Sequence, residues 1–231
     1  MQRGRGPAIG SDPTVKSDWR DFVLSGAFIS LILVAAVACV AALRPWSVAV
    51  LGEYRVLFDA AMVLVAYGLL SALALRILLA IKPAASGEHS QDSPAFVYWK
   101  LLTVIYRMGQ GALAWCVPIM FKPQLDSLFG ARIGSQVAFG GTIDDPYMVS
   151  VGSRTVLGAA SLVSANYLSG GKLVCAPVNI GSGVVIGANS VVLPGANIGD
   201  GATLMSGSYL MPGTTVPAGE TWRGNPARKW M

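Results

Sequence analysis

The sequence has 231 residues, of which 53% are hydrophobic and only 13% are charged. Soluble domains average about 25% charged residues, so the composition excludes an ordinary soluble domain along the whole length, and it also excludes a disordered chain, which would be poor in apolar residues. The net charge of +5 is spread without a basic cluster, which argues against nucleic-acid binding, and the three cysteines lie too far apart for a metal site or a disulfide framework.

Two long apolar segments lie in the first third of the sequence. Phe22 to Leu43 contains no charged residue, and as a helix it would be about 33 Å long, enough to cross a hydrocarbon core of about 30 Å. The second segment runs from Val56 to Ile81, and the short stretch from Arg44 to Arg55 between them predicts a loop. Residues 22–81 are therefore predicted to form a transmembrane helical hairpin, preceded by a tail over residues 1–21.

Basic residues outside the apolar segments indicate the orientation of the chain. The predicted loop contains only Arg44 and Arg55, whereas more basic residues flank the hairpin at its outer ends. These are Arg3, Arg5, Lys16 and Arg20 before it, and Lys82, Lys100, Arg107 and Lys122 after it. Because cytoplasmic flanks are enriched in Lys and Arg, we expect the N-terminus and the C-terminal domain to face the cytoplasm from the inner membrane.

Residues 82–127 are predicted to connect the hairpin to the C-terminal domain. Ala84 to Pro94 has the composition of a polar linker, and its His89, the only histidine, is interpreted as a solvated residue. Phe96 to Phe121 is apolar but interrupted by polar residues, which favours an amphipathic helix in the membrane interface or beneath the soluble domain. A third transmembrane span is the alternative, and it would move the C-terminal domain to the other side.

Residues 128–231 follow a period of six. Apolar residues recur at eight consecutive steps, namely Ile180, Ile186, Val192, Ile198, Leu204, Leu210, Val216 and Trp222. Of the 27 glycines, 18 lie between Gly130 and Met231. This period is typical of short strands separated by tight turns and stacked into a parallel β-helix. The register breaks at Asp145 and shifts between Ser164 and Lys172, which predicts an insertion or bulge there.

The stretch Ile-Gly-Ser-Gly-Val-Val-Ile-Gly-Ala-Asn-Ser-Val-Val-Leu-Pro-Gly-Ala at residues 180–196 resembles the hexapeptide-repeat acyltransferase family. The resemblance covers residues 128–231 and implies a mainly β domain, a left-handed parallel β-helix with three hexapeptides per coil, assembled as a homotrimer. A weaker resemblance is to the C-terminal region of membrane-bound peptide synthetases of the poly-lysine type, in which transmembrane hairpins alternate with such repeats. Leu128 to Gly134 is similar to the start of their first coil.

The resemblance also implies a reaction. Acyltransferases of this family usually use a histidine base to take the proton from a hydroxyl or amine, which then attacks the thioester of acetyl-CoA or another acyl-CoA. Asn166 stands about where that histidine is expected, between the two runs of repeats. Asparagine is no base near neutral pH, but its amide can orient an acceptor or a thioester carbonyl. A carbonic-anhydrase-type zinc site needs three histidines, so the single His89 excludes it.

Two further residues are candidates for the chemistry. Asp145 follows Asp144 and precedes Pro146, and a carboxyl with a raised pKa can act as the base; a turn-forming Asp-Asp-Pro segment is the alternative. Cys175 can be considered as an acyl-carrying nucleophile, with an inward-facing structural cysteine as the alternative.

The C-terminal segment Trp-Arg-Gly-Asn-Pro-Ala-Arg at residues 222–228 resembles the closing segment of the family's acyltransferases. The resemblance implies a CoA site formed by Trp222, Gly224, Asn225, Arg228 and Lys229. The two cations would bind the phosphates of CoA; a solvated tail is the alternative. No metal is expected.

Two functions are consistent with the sequence. The first is a membrane-anchored acyltransferase that moves an acyl group, such as acetyl, from CoA to a hydroxyl or amine of a saccharide, a lipid-linked acceptor or a peptide. The second is a non-catalytic trimeric platform for a membrane-bound synthase. The segment at residues 222–228 favours the first, and the missing histidine favours the second.

Overall fold

The computed structural model describes residues 19–230, which divide into two compact units. The helical unit comprises residues 19–83 and 99–130. The second unit comprises residues 84–98 and 131–230 and contains all the strands of the described chain. Residues 1–18 of the predicted N-terminal tail lie outside the described residues.

The first two helices are joined by a tight turn. Helix α1 covers Trp19–Leu51, a 3-10 turn covers Gly52–Tyr54, and α2 covers Arg55–Ile81. Gly52 has a φ of 54°, the left-handed conformation in which glycine commonly follows the last residue of a helix. The loop predicted from Arg44 to Arg55 is therefore wrong over most of its length, because α1 continues through Pro45 and ends only at this glycine.

The two helices form an apolar hairpin. α1 and α2 contact each other, and the residues buried on α1 recur every four positions at Ile32, Ala36 and Val40. Large apolar side chains also cover the opposite faces and are exposed. Among the described residues, the helical stretch Asp21–Ile81 is the one long and apolar enough to cross a membrane, by length and composition.

A strand and two further helices follow the hairpin. They are β1 (Gly87–Ser90), α3 (Pro94–Ala114), a 3-10 turn (Ile119–Phe121) and α4 (Lys122–Leu128). The predicted polar linker thus contains a strand. The single helix predicted from Phe96 to Phe121 is instead divided. α3 ends at Ala114, and a 3-10 turn at Ile119–Phe121 leads into α4. Pro118 begins the new turn, since proline lacks the N–H that would continue α3.

The pairing of β1 decides the topology of this region. β1 lies antiparallel to β9 (Lys172–Cys175), so the chain before α3 and the chain after α4 share one sheet. A single membrane crossing between them would put the two strands on opposite sides. The alternative of a third transmembrane span is therefore excluded.

The second unit is a β-solenoid with three columns of parallel strands. The first column contains β2 (Arg132–Ile133), β5 (Val149–Val151), β10 (Val178–Ile180), β13 (Asn197–Ile198) and β16 (Thr215–Val216). The second contains β3 (Ala138–Phe139), β6 (Val156–Leu157), β11 (Val185–Ile186), β14 (Thr203–Leu204) and β17 (Thr221–Gly224). The third contains β4 (Thr142–Asp144), β7 (Leu162–Ser164), β12 (Val191–Val192) and β15 (Tyr209–Leu210). Regular partners are 18 residues apart, as for Asn179 and Asn197, so each coil contains three hexapeptides.

One apolar residue per hexapeptide fills the interior of the solenoid. From Ile180 to Val216, every residue at the six-residue step is at most 4% exposed. Small side chains occupy the corners and are also fully buried, at Val184, Ser190, Ala196 and Ala202. The coils approach so closely that a Cβ at Gly199 would lie 2.5 Å from the backbone nitrogen of Ala218. The predicted register is therefore the one that builds the core.

Strand β14 offers a matched pair of substitutions that tests this register. Leu204 points into the core and is 2% exposed, whereas its neighbour Thr203 is only partly buried. We expect Leu204→Ala to lower the free energy of unfolding by about 2–5 kcal/mol, because it leaves a cavity. We expect Thr203→Ala to lower it by less than about 1 kcal/mol. Thermal unfolding of the full chain in detergent, followed by circular dichroism, measures both; equal losses would contradict the register.

Candidate active site

A long excursion interrupts the regular coils. Val156 pairs with Val185, which is 29 residues further on, whereas Val185 pairs with Thr203 at the regular spacing of 18. The 11 additional residues leave the coil as an antiparallel hairpin of β8 (Asn166–Ser169) and β9, and β1 adds a third strand to it. This hairpin is the insertion predicted between Ser164 and Lys172.

The first residue of the hairpin contacts Asp145. Asn166 Nδ2 donates a hydrogen bond to Asp145 Oδ2 at 2.6 Å, and the Tyr147 hydroxyl donates to Asp145 Oδ1 at 3.1 Å. The Ser164 hydroxyl donates to the Asn166 carbonyl oxygen at 2.7 Å, which fixes the backbone at this point. The two candidate catalytic residues, 21 positions apart in the sequence, are thus in direct contact.

Asp145 lies in the other irregular part of the solenoid. Its φ of 53° is left-handed, and it precedes a 3-10 turn at Pro146–Met148 that follows β4. Its side chain is fully buried, and both carboxylate oxygens accept hydrogen bonds. Because a carboxylate only accepts, it orients the amide of Asn166 with Nδ2 toward itself and Oδ1 away. This geometry suits a group that positions Asn166 better than one that takes a proton from a substrate.

Cys175 lies directly opposite Asn166 in the hairpin. The thiol is buried, and burial, helped by the negative charge of Asp145, raises its pKa to about 12. Only the thiolate is a nucleophile, and a thiol with this pKa stays protonated at neutral pH. Cys175 is therefore the inward-facing structural cysteine, and the acyl-carrying role is unsupported.

His89 is a strand residue, and its interpretation as a solvated linker residue is wrong. It pairs with Leu173 in the β1–β9 ladder, and its Nε2 is buried without a hydrogen-bond partner among the described residues. It shares a sheet face with Asn166, but it is two strands and two rows away. Strand spacing and rise put their Cα atoms about 12 Å apart. His89 is therefore out of hydrogen-bond reach of Asn166.

The C-terminal segment closes the last coil. β18 (Ala227–Lys229) lies antiparallel to β17, so that Trp222 pairs with Lys229 across a turn at Asn225 and Pro226. Trp222 packs on the solenoid core, while Gly224 and Asn225 are exposed at the turn. The predicted CoA-binding residues therefore share one hairpin.

Glu220 engages two of these residues. Lys229 Nζ donates to its Oε1 at 2.6 Å, and Trp222 Nε1 donates to its Oε2 at 2.9 Å. The hydrogen bonds from Lys229 and Trp222 lower the pKa of Glu220. Arg228, by contrast, is exposed, and its guanidinium donates to the adjacent Ala227 carbonyl at 3.3 Å. Of the two predicted phosphate ligands, Arg228 is the one not already held in an ion pair within the described chain.

The candidate residues thus form two groups and no metal cluster. Asn166 and the C-terminal hairpin are three coils apart, which at the usual strand spacing is about 14 Å along the solenoid. Within residues 19–230, no three His, Cys, Asp or Glu side chains are placed to hold a metal ion. A ligand that contacts both groups must therefore be long, as CoA is.

The repeat region matches a known family model. The model describes the hexapeptide repeat of succinyl-transferase, and it matches residues 177–212. No curated protein matches the chain.

Solved structures with a similar solenoid include three acetyltransferases. A hexapeptide-repeat-containing acetyltransferase from Vibrio cholerae is 16% identical, with a TM-score of 0.46 over 63% of this chain and 94% of its own. A maltose O-acetyltransferase from Clostridium difficile 630 is 20% identical, with a TM-score of 0.41 over 64% of this chain and 97% of its own. A galactoside acetyltransferase in complex with coenzyme A is 26% identical, with a TM-score of 0.41 over 44% of this chain. Our chain spans 55% of the length of the last of these and 60% of the Vibrio cholerae protein in its acetyl coenzyme A complex.

Sequence reasoning missed part of the site. Tyr147 and Ser164, which bond to Asp145 and Asn166, were not among the candidates. Tyr147 lies two residues after Asp145 in the same break of the six-residue register, and that break is a signal that could have identified it. The third strand, β1, has no comparable signal, because four polar residues in a linker do not predict a partner more than 80 residues away.

The state of Cys175 can be tested by thiol modification. In the folded full chain at pH 8, we expect iodoacetamide to leave Cys175 unmodified, because its thiol is buried and its pKa is raised to about 12. After unfolding in urea, the same residue should react within minutes. Peptide mass spectrometry measures both states, and equal modification in the two would contradict the buried geometry.

Proposed function

We propose that the protein is a membrane-anchored acyltransferase that moves an acyl group from CoA to a hydroxyl or amine. The observation that carries the proposal is the hydrogen bond between Asn166 and Asp145 at the hairpin that interrupts the solenoid. In hexapeptide-repeat acyltransferases, which this chain resembles, the stretch between the repeat runs commonly provides the catalytic histidine. Here the same stretch provides an oriented amide.

Asn166 would act by positioning and polarisation. One Nδ2 hydrogen is held by Asp145, which leaves the other to donate to the thioester carbonyl oxygen as negative charge develops on it. Oδ1, which has no hydrogen-bond partner in the described part of the chain, would accept from the acceptor O–H or N–H and align it. The acceptor forms the new C–O or C–N bond, the C–S bond breaks, CoA leaves as the thiolate, and the acceptor proton passes to solvent.

Asp145 would be a positioning residue. Its side chain is fully buried and bonded at both oxygens, so its contribution is to hold the amide of Asn166 in one orientation. CoA would bind along the solenoid, with its phosphates at Arg228 and its acyl end at Asn166. Lys229 would contribute less, because Glu220 already pairs with it.

The membrane and the oligomer belong to the same proposal. The apolar stretch Asp21–Ile81 would cross the inner membrane as a hairpin, with the solenoid on the cytoplasmic side, where CoA is available. Anchoring would hold the site near a lipid-borne acceptor. We further propose a homotrimer, because the flat outer faces of the coils suit association and the resembling family places its clefts between subunits.

A non-catalytic platform for a membrane-bound synthase is the second candidate. Three observations favour it. Asn166, which cannot act as a base, stands where the catalytic histidine is expected; Asp145 is buried; and the Cys175 thiol stays protonated. Under this alternative, Asn166 and Asp145 only stabilise the exit of the hairpin from the coil.

The two candidates differ in the effect of Asn166→Ala. With radiolabelled acetyl-CoA and membranes that supply the acceptor, we expect this variant to lower transfer by about 10²–10³, the usual loss for one oxyanion donor. Asn179→Ala is the matched control, because Asn179 is an exposed asparagine that bonds Asn197 on the outer face; it should keep the wild-type rate. No transfer by the wild type, or equal rates in both variants, would favour the platform.

The pH profile separates positioning from base catalysis. If Asn166 only positions, the rate should rise steadily with pH as the acceptor ionises, with no titration near pH 6–7. His89→Asn should leave this profile unchanged, since His89 is out of reach of Asn166. A pH profile with an inflection that disappears in His89→Asn would contradict the proposal.

The two C-terminal cations should contribute unequally. Arg228→Ala is expected to weaken CoA binding by about 1–3 kcal/mol, the cost of one charge-assisted contact. Lys229→Ala should weaken it by less, because that side chain already pairs with Glu220. Calorimetric titration with CoA measures both, and the reverse order would contradict the assignment of the phosphates to Arg228.

A further inference from the structure

We propose that the turn between α3 and α4 is a re-entrant segment. It enters one leaflet of the bilayer, is surrounded there by lipid acyl chains, and returns to the side from which it came. This segment, residues 111–121, is called the tip below. The inference rests on the proposed membrane anchoring by α1 and α2. It goes beyond that anchoring because it adds a second membrane contact.

Both ends of the α3–α4 region lie on one side of the membrane. β1 precedes α3 and β9 follows α4, and the two strands pair along four residues, from Gly87 with Cys175 to Ser90 with Lys172. The region between them therefore makes either no crossing or an even number. α3 and α4 have 21 and 7 residues, so α4 is too short to cross the bilayer on its return.

Contacts within the helical unit show how far α3 extends along the hairpin. Lys100 pairs with Asp21 near the start of α1, so α3 begins at the outer end of the hairpin. Further along, a Cβ at Gly109 would lie 2.6 Å from Ser71 Cβ, and Leu113 fills the space beside Gly68. α3 therefore runs antiparallel to α2 and reaches the middle of its length.

The return path is fixed by Arg76. Its guanidinium donates to the carbonyl oxygens of Ser127 and Leu128, at 2.8 and 3.0 Å, at the end of α4. Gly68 lies eight residues before Arg76 on α2, which corresponds to about 12 Å along the helix. Half of a hydrocarbon core is about 15 Å. If Arg76 marks the interface, the tip lies within the acyl chains of one leaflet.

The composition and exposure of the tip suit lipid. It contains no charged residue and no side-chain amide between Gln110 and Lys122. Its apolar side chains are strongly exposed: Trp115 by 86%, Ile119 by 74% and Met120 by 72%. Exposing three such side chains to water costs free energy, at roughly 25 cal/mol per Å² of apolar surface. The tip lies beside α2, so the bilayer that covers the hairpin also covers it.

Hydrogen bonds within the backbone of the tip lower the free-energy cost of moving the tip from water into hydrocarbon. Non-helical backbone in a hydrocarbon must satisfy its polar groups locally. The Cys116 N–H donates to the Leu113 carbonyl at 2.9 Å, and the Phe121 N–H donates to the Pro118 carbonyl at 2.8 Å. Pro118 has no N–H to satisfy. The turn is therefore short and partly self-bonded.

Spin-label accessibility of native cysteines tests the proposal in the full chain, reconstituted into phosphatidylethanolamine–phosphatidylglycerol vesicles. Cys116 lies in the tip and is exposed, and it is labelled in a Cys39→Ser background. Cys39, exposed on α1, is labelled in a Cys116→Ser background and reports the anchor. Ser169→Cys, at the exposed end of β8 and with Cys39 and Cys116 both replaced by serine, is the aqueous control. Collision with oxygen reports lipid, and collision with a water-soluble nickel complex reports water.

We expect the oxygen-to-nickel collision ratio at Cys116 to match that at Cys39 and to exceed that at Ser169→Cys several-fold. A water-like ratio at Cys116 with a lipid-like ratio at Cys39 would overturn the re-entrant segment and leave the anchor intact. Low collision with both reagents at Cys116 would mean that protein covers the tip, which also overturns the proposal. A water-like ratio at Cys39 would refute the anchor itself.

Discussion

Backbone pairing between successive 18-residue coils is the constraint on which the rest of the structure depends. Each coil must place its strands in register with those of the coil before it. Close approaches such as that of Gly199 to Ala218 leave no space for additional residues inside the solenoid. Extra residues can only leave outward. The 11-residue excursion obeys this rule, and its first residue is Asn166, which meets the buried Asp145 from the preceding irregular turn. Two departures from regularity, on consecutive coils, thus create the one polar contact on which the proposed chemistry depends.

The sequence predicted most where one repeating rule decides the structure. The inward positions from Ile180 to Val216 and the insertion after Ser164 follow from side-chain size and periodicity, and the three hexapeptides per coil were implied by the family resemblance. The contact between Asn166 and Asp145 could not be predicted, because it depends on how two irregular segments fold toward each other. Each residue was a candidate for its own reason, and only the structure shows that their side chains are hydrogen-bonded to each other.

The helical region was predicted less well, because its boundaries depend on tertiary contacts. Composition identified the apolar hairpin but put its loop at Arg44, since the stretch without charged residues ends at Leu43; α1 continues to Leu51, just before Gly52. The strand β1 and the return of α4 are fixed by partners far along the chain, at β9 and at Arg76. The local sequence pattern does not contain that information. The prediction therefore missed the strand in the linker and the division of the third apolar segment into a helix and a turn.

The central claim is that the acyl group is transferred beside Asn166. A structure of the full chain in lipid nanodiscs at saturating CoA tests it most directly. The account predicts the CoA sulfur close to the Asn166 side chain, at the β8–β9 hairpin, and the phosphates at Arg228. Sulfur at any other part of the solenoid, or no bound CoA at millimolar concentration, would contradict it.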